Sequence, residues 1–214
     1  MSPSSASLPI ITRATKVQCL GAAGFAIALY ALSVESHLED DEYQPMCDLG
    51  KGASCAAVFK SSYAHVLSHW GLVPPGHPLD LSLAIAGLLL YGGFYTAGVL
   101  WDRVPARGPI FLAVATCGAC FSCYLMYVLK FVLKDFCVVC TSFHTVNFAM
   151  LILAVCEFRS AQPSGCTRWW RLWLPILVGA AAVGIPPYMQ VLRLQLQVCS
   201  SVPPPHPSST HPIP

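Results

Sequence analysis

A chain of 214 residues that is 55% hydrophobic and only 10% charged is too apolar for a water-soluble fold, in which about 25% of residues carry charge. Its net charge of +2 comes from a few scattered residues. No basic cluster is present to neutralise phosphates, which excludes nucleic acid as a partner. What remains is a protein built for a bilayer, of a length that makes one domain.

Residues 1–16 open Ser/Pro-rich up to Pro9 and form a tail that ends on Arg13 and Lys16. A spanning helix needs roughly 20 mainly apolar residues, and the first candidate is Val17 to Val34. Its apolar run is longer than a signal-peptide core and no small-residue cleavage site precedes the acidic stretch that follows, so it reads as a retained span. Residues 35–80 form the sizeable extramembrane loop. Gly50 and Gly52 lie between Cys47 and Cys55 and let the chain turn tightly, so a disulfide across the loop is sterically feasible. Taken alone, that pair reads as a structural staple for an oxidising compartment. Val58, Phe59, Ser62, Tyr63, Val66 and Leu67 recur at helical spacing and predict a short amphipathic helix that caps the bundle or lies in the interface. The stretch from Trp70 to Pro78 breaks it.

Three further spans follow, at Leu81 to Trp101, Pro109 to Leu133 and Phe136 to Phe158. The expected architecture is therefore an all-α, four-helix transmembrane bundle over residues 17–158. Arg13, Lys16, Arg103, Arg107, Arg159, Arg168 and Arg171 then share one membrane face, which the positive-inside rule makes cytosolic. The opposite face receives Glu35, Glu39, Asp40, Asp41 and Glu42, and the turn with Lys130, Lys134 and Asp135. Residues 159–199 form an extension whose apolar segment, Leu172 to Leu192, spans, lies in the interface or packs beside the bundle. Residues 200–214, rich in Pro, Ser and His, read as a disordered tail.

The chain has eleven cysteines, and an odd total leaves at least one thiol unpaired. Cys137-Val138-Val139-Cys140 opens the fourth span on the side of the Cys47/Cys55 loop. Cys137 falls in the first helical turn, where unpaired N–H groups and the helix dipole favour a thiolate. Cys140 lies one turn deeper on the same face, where it meets whatever enters from the lipid. Such a pair can pass two electrons between protein thiols and a membrane-soluble carrier. The plainer alternative is two buried cysteines acting as small hydrophobes. Cys117, Cys120 and Cys123 share that spacing near mid-membrane and read as helix-packing residues, while Cys19 and Cys156 sit reduced at the cytosolic ends. No His or Cys pairs converge at zinc-ligand spacing, so no metal is expected.

The chain now resembles the vitamin K epoxide reductase family. The resemblance rests on Tyr30-Ala31-Leu32, on Cys47-Asp48-Leu49-Gly50 with Cys55 following, on Val58-Phe59, and above all on the run from Phe131 through Lys134-Asp135-Phe136 to Cys140. It implies reduction of vitamin K epoxide to the quinone and hydroquinone in the endoplasmic reticulum membrane, with the N-terminus cytosolic and no tightly bound cofactor. It implies Cys137 and Cys140 as the active-site pair, with Cys140 contacting substrate. Cys47 and Cys55 become the shuttle pair, bonded to each other, with Cys47 exchanging with Cys137. Thioredoxin-like lumenal proteins supply the electrons. Phe59 and Val139 belong to the pocket wall, and Asp48 helps lock the loop over it.

The departures concern the substrate. The family's quinone-holding asparagine near the start of the second span is replaced by Leu79-Asp80-Leu81-Ser82-Leu83-Ala84, which leaves Asp80 or Ser82 as donor. The tyrosine of its Thr-Tyr-Ala motif, which touches quinone and coumarin drugs such as warfarin, is replaced in Phe143-His144-Thr145. His144 can donate the same hydrogen bond, or is a buried histidine bonded to a carbonyl. The arginine after the second loop cysteine gives way to Ala56-Ala57. Two other functions compete: a quinone-coupled thiol oxidase that never opens the epoxide, and a non-catalytic tetraspan scaffold.

Overall fold

A computed structural model describes residues 12–160 except 39, 41, 42, 49, 51, 105 and 106. The Leu172–Leu192 segment, the C-terminal tail and residues 1–11 of the N-terminal one lie outside the described residues, while Arg13 to Lys16, expected in the tail, belong to the first helix. Among those described, all regular structure is helical, and the sole β element is an isolated bridge between Gly50 and Ala53.

Thr12 begins α1 (Arg13–Ser36): its Oγ1 accepts from the Thr15 N–H at 3.2 Å, pairing a group that the first helical turn leaves open. The buried positions of α1, Val17, Gly21, Gly24, Ala28, Ala31 and Val34, recur every three or four residues as a narrow stripe of small side chains. In lipid, where water does not drive helices together, such a stripe lets backbones approach closely. A β-carbon at Gly21 would stand 2.7 Å from the backbone nitrogen of Tyr95 in α4 (Leu83–Val99), so these helices touch main chain to main chain. Gln18 Nε2 donates to the Gly98 carbonyl at 2.8 Å across the same seam.

The chain then runs through a 3₁₀ turn (Trp101–Arg103) into α5 (Arg107–Tyr127). A π-helical stretch, Val128–Leu133, continues α5 and stops at Lys134, which takes a left-handed φ of 56°. The last helix is α6 (Val138–Ser160). α6 packs on both α1 and α5, and α1 packs on α4. Three stretches are long and apolar enough to cross a bilayer: Arg13–Ser36, Arg107–Leu133 and Val138–Ser160. The fourth, Leu83–Val99, has 17 residues and is shorter than the Leu81–Trp101 expected. Ser82 caps it at one end and the chain tightens into 3₁₀ geometry at the other.

At the end of the molecule away from the cysteine loop, Glu157 is buried and binds two arginines. Its Oε2 accepts from Arg13 at 2.9 Å and its Oε1 from Arg107 at 3.0 Å, which ties α1, α5 and α6 together. A buried carboxylate needs such partners.

The amphipathic segment after Cys55 is three short pieces rather than one helix: α2 (Cys55–Phe59), a 3₁₀ turn (Ser62–Ala64) and α3 (Val66–His69). Polar side chains compete with the helical ladder here. Ser61 Oγ donates to the Val58 carbonyl at 2.6 Å and Asp80 Oδ1 accepts from the Ser68 N–H at 3.1 Å. Trp70 Nε1 donates to the Tyr124 hydroxyl at 3.2 Å and pins this cap to α5.

Candidate functional site

Cys47 and Cys55 form a disulfide. The start of α2 is capped twice. The Asp48 carboxylate accepts from the N–H groups of Cys55 and Ala56, and Ser54 Oγ from that of Ala57 at 3.1 Å. These bonds fix Cys55 at the first helical position. Gly52 takes a φ of 83°, a region that favours glycine, and its carbonyl accepts from the Phe136 N–H at 3.0 Å. The loop is thereby joined to the residue before Cys137. As a result Cys55 and Cys137, both fully buried, stand with their sulfurs 3.6 Å apart.

Cys137 is the cap of α6 rather than part of its first turn. Its carbonyl accepts from the Thr141 N–H at 3.0 Å, and its sulfur accepts from the Cys140 N–H at 3.2 Å. A sulfur in the capping position faces the N–H groups and the positive end of the helix dipole. The hydrogen bond from the Cys140 thiol, helped by the N–H groups of Cys140 and Val139, holds the Cys137 thiol below its ordinary range. Burial and the Asp48 carboxylate push the other way and do not prevail. Cys137 is therefore the better thiolate of the pair, the form that attacks or leaves in thiol–disulfide exchange.

On the far side of Cys140 lies an apolar cavity between the cap, α4, α5 and α6. Val58 and Phe59 roof it, Leu83, Gly87 and Leu90 line one wall, and Phe143 stacks on Tyr91 at 5.6 Å in another. Its few polar groups are gathered on one side. Asn147 donates to Ser122 Oγ at 2.8 Å and accepts from the Tyr91 hydroxyl at 2.9 Å. His144 also lines the cavity; it is only 6% exposed, and neither ring nitrogen has a hydrogen-bond partner among the described residues. An apolar chamber with a few convergent polar atoms and a thiol suits a flat lipophilic molecule with oxygen acceptors.

The model of the vitamin K epoxide reductase family matches residues 17–155. Vitamin K epoxide reductase complex subunit 1 of Mus musculus is 33% identical over 138 residues, which cover 62% of this chain and 82% of that protein. The Rattus norvegicus protein of the same name is 31% identical over 135 residues with the same coverage. The chain belongs to the vitamin K epoxide reductase family. It is thus a multi-pass membrane thiol–disulfide oxidoreductase.

Several placements differ from those expected of the sequence. The sulfur beside Cys137 is that of Cys55, not Cys47, because the Asp48 and Gly52 bonds present the start of α2 to α6. Asp80 is turned away from the cavity: it accepts from Ser68 and lies 3.6 Å from His65, where it holds the cap. Ser82 is the cap of α4, accepting from the Ile85 N–H at 3.3 Å. Val139 is buried with Cys47, Cys55 and Cys137 rather than facing the cavity. Asp48 acts on the loop through α2, while Phe59 and His144 do line the chamber. Cys117 and Cys120 are half-buried and Cys123 is exposed, all three free and away from the relay.

The residue that sequence reasoning missed is Asn147. The donors expected from the sequence are Asp80, Ser82 and His144. Yet Cys140, His144 and Asn147 follow one another at i, i+4 and i+7, the spacing that puts them on one helix face.

Proposed function

We propose that this chain reduces vitamin K 2,3-epoxide to the quinone, and the quinone to the hydroquinone, in the endoplasmic reticulum membrane. In this reading α4 is a fourth span, and the N-terminus and the Glu157 end face the cytosol. The observation that carries it is the line from the Cys47–Cys55 disulfide, through Cys137 at 3.6 Å, to Cys140 on the wall of an apolar cavity.

Electrons arrive from thioredoxin-like lumenal proteins, which reduce Cys47–Cys55. The Cys55 thiolate attacks the Cys137 sulfur of an oxidised Cys137–Cys140 pair and releases Cys140. Cys47 then attacks Cys55, frees Cys137 and restores the loop disulfide. At the end of that transfer the loop is oxidised and both electrons rest on the Cys137/Cys140 pair next to the cavity. Cys140 delivers them to the substrate, and His144 stands where it can donate a hydrogen bond to a substrate oxygen.

A second reading, a quinone-coupled thiol oxidase that does not open the epoxide, is favoured by the diversion of Asp80 and Ser82 to structural hydrogen bonds. Epoxide opening needs a proton donor at the oxygen. The two are separated by turnover of the epoxide and of the quinone in membranes carrying the protein, with dithiothreitol as reductant and Cys140→Ala as control. Activity on both substrates, lost in the variant, supports the first reading. Activity on the quinone alone establishes the second, and activity retained by Cys140→Ala overturns both.

A further inference from the structure

His144 lines a second cavity as well as the first. A groove bounded by Lys130, Lys134, Asp135, Thr141 and Thr145 also has His144 in its lining, and Tyr91 is not part of it. Lys130, Lys134, Thr141 and Thr145 are exposed, so the groove opens outward beside the cysteine loop. One buried imidazole, with both nitrogens unpartnered, thus separates an open groove with charged walls from an apolar chamber that holds Cys140. Imidazole is the side chain suited to take a proton at one nitrogen and release one from the other.

The redox balance leaves such a group something to do. Reducing a quinone to a hydroquinone takes two electrons and two protons. The sulfur of Cys137 accepts from the Cys140 N–H at 3.2 Å at the positive end of α6, so the pair is disposed to enter as a Cys137 thiolate and a Cys140 thiol, carrying one proton between them. Forming the Cys137–Cys140 disulfide therefore releases two electrons but one proton: thiolate, thiol, quinone and one further proton give disulfide and hydroquinone. That further proton must enter from outside the chamber.

We propose that His144 delivers it, passing protons from the Lys130/Lys134/Asp135 groove to the substrate oxygen. The inference rests on the quinone-pocket reading above and adds to it a route for the proton. Cys140 and Tyr91 are the other titratable side chains on the chamber walls, and Lys130, Lys134 and Asp135 are those on the groove. Cys140 gives its proton with the electrons, and the Tyr91 hydroxyl is engaged with Asn147 and the Phe143 carbonyl.

The test uses the full chain in lipid nanodiscs, with vitamin K1 quinone, whose fully substituted quinone ring does not arylate thiols, and dithiothreitol as reductant. Protection of Cys140 from alkylation by that quinone in a Cys137→Ala background, where no Cys137–Cys140 disulfide can form, reports the pocket separately from turnover. His144→Gln keeps a hydrogen-bond donor but cannot relay a proton. It is expected to leave protection and KM within about twofold and to lower kcat about 100-fold, the usual scale of acid–base assistance. Imidazole in the buffer is expected to restore turnover to His144→Ala, and Thr145→Trp, which plugs the groove, to lower kcat while sparing protection. If His144→Gln turns over within threefold of the parent, if imidazole does not rescue, or if Thr145→Trp is fully active, the relay is overturned and the pocket stands. If the quinone fails to protect Cys140 in the Cys137→Ala background, the pocket reading falls and the relay with it.

Discussion

At the scale of single residues, chemistry depends on what surrounds each sulfur. Cys137 is favoured as a thiolate first by the thiol of Cys140 and then by two backbone N–H groups. Removing that first contribution in Cys140→Ala must shift the Cys137 thiol upward. At a fixed pH near neutrality its thiolate fraction falls, so alkylation of Cys137 slows and its pH midpoint rises. Alkylation followed by peptide mass spectrometry measures this, and an unmoved or lowered midpoint contradicts it. The sequence made the redox pair legible because a C-x-x-C at a helix start has a definite electrostatic meaning. It did not reveal that Cys137 caps the helix, since boundaries are set by hydrogen bonds such as Phe136 to Gly52 that join distant segments. Asp80 was likewise unreadable: a buried carboxylate next to a span looks like a substrate donor until Ser68 is seen to occupy it.

At the scale of elements, α2 is a positioning device. Asp48 accepts from the first two N–H groups of α2 and so holds Cys55 against Cys137. Loss of a helix cap costs about 1 kcal/mol, a factor of roughly five in a local equilibrium. Asp48→Ala is therefore expected to slow turnover several-fold with a thioredoxin-like protein reductant. With a membrane-permeant dithiol that reaches Cys137–Cys140 directly, the rate stays near that of the parent. Equal losses with both reductants would place Asp48 at the substrate instead. The seam between α1 and α4 makes a different demand, because Gly21 has no room for a side chain. Gly21→Val forces the helices apart and costs about 1–3 kcal/mol by overpacking, to be read as a lower thermal midpoint in detergent. The break-up of the amphipathic segment was not legible in the sequence, because apolar periodicity is blind to Ser61 and Asp80 reaching for backbone groups.

For the whole molecule, the two ends are held by different means. One end is joined by the loop cysteines and the Gly52–Phe136 bond, the other by Glu157 between Arg13 and Arg107. Glu157→Gln removes a buried charge that holds three helices. With both guanidinium groups partly exposed and screened, the cost is about 1–2 kcal/mol. Its thermal midpoint falls while turnover per folded molecule persists; an unchanged midpoint contradicts the clasp. Hydropathy and cysteine spacing made the helical class and the membrane setting readable from the chain, because both depend on composition along single segments. Which cysteine meets which, and which polar groups share a chamber, depend on contacts between segments far apart in the sequence.

Disulfide mapping in the Cys47→Ala/Cys140→Ala double variant, which leaves Cys55 and Cys137 without their usual partners, reads the electron path from loop to cavity. After mild oxidation in membranes and proteolysis, a peptide linking Cys55 to Cys137 is expected as the main disulfide formed by either residue. Recovery of Cys55 and Cys137 as free thiols, or of Cys137 joined to some other cysteine, would contradict the electron path from the loop to the cavity.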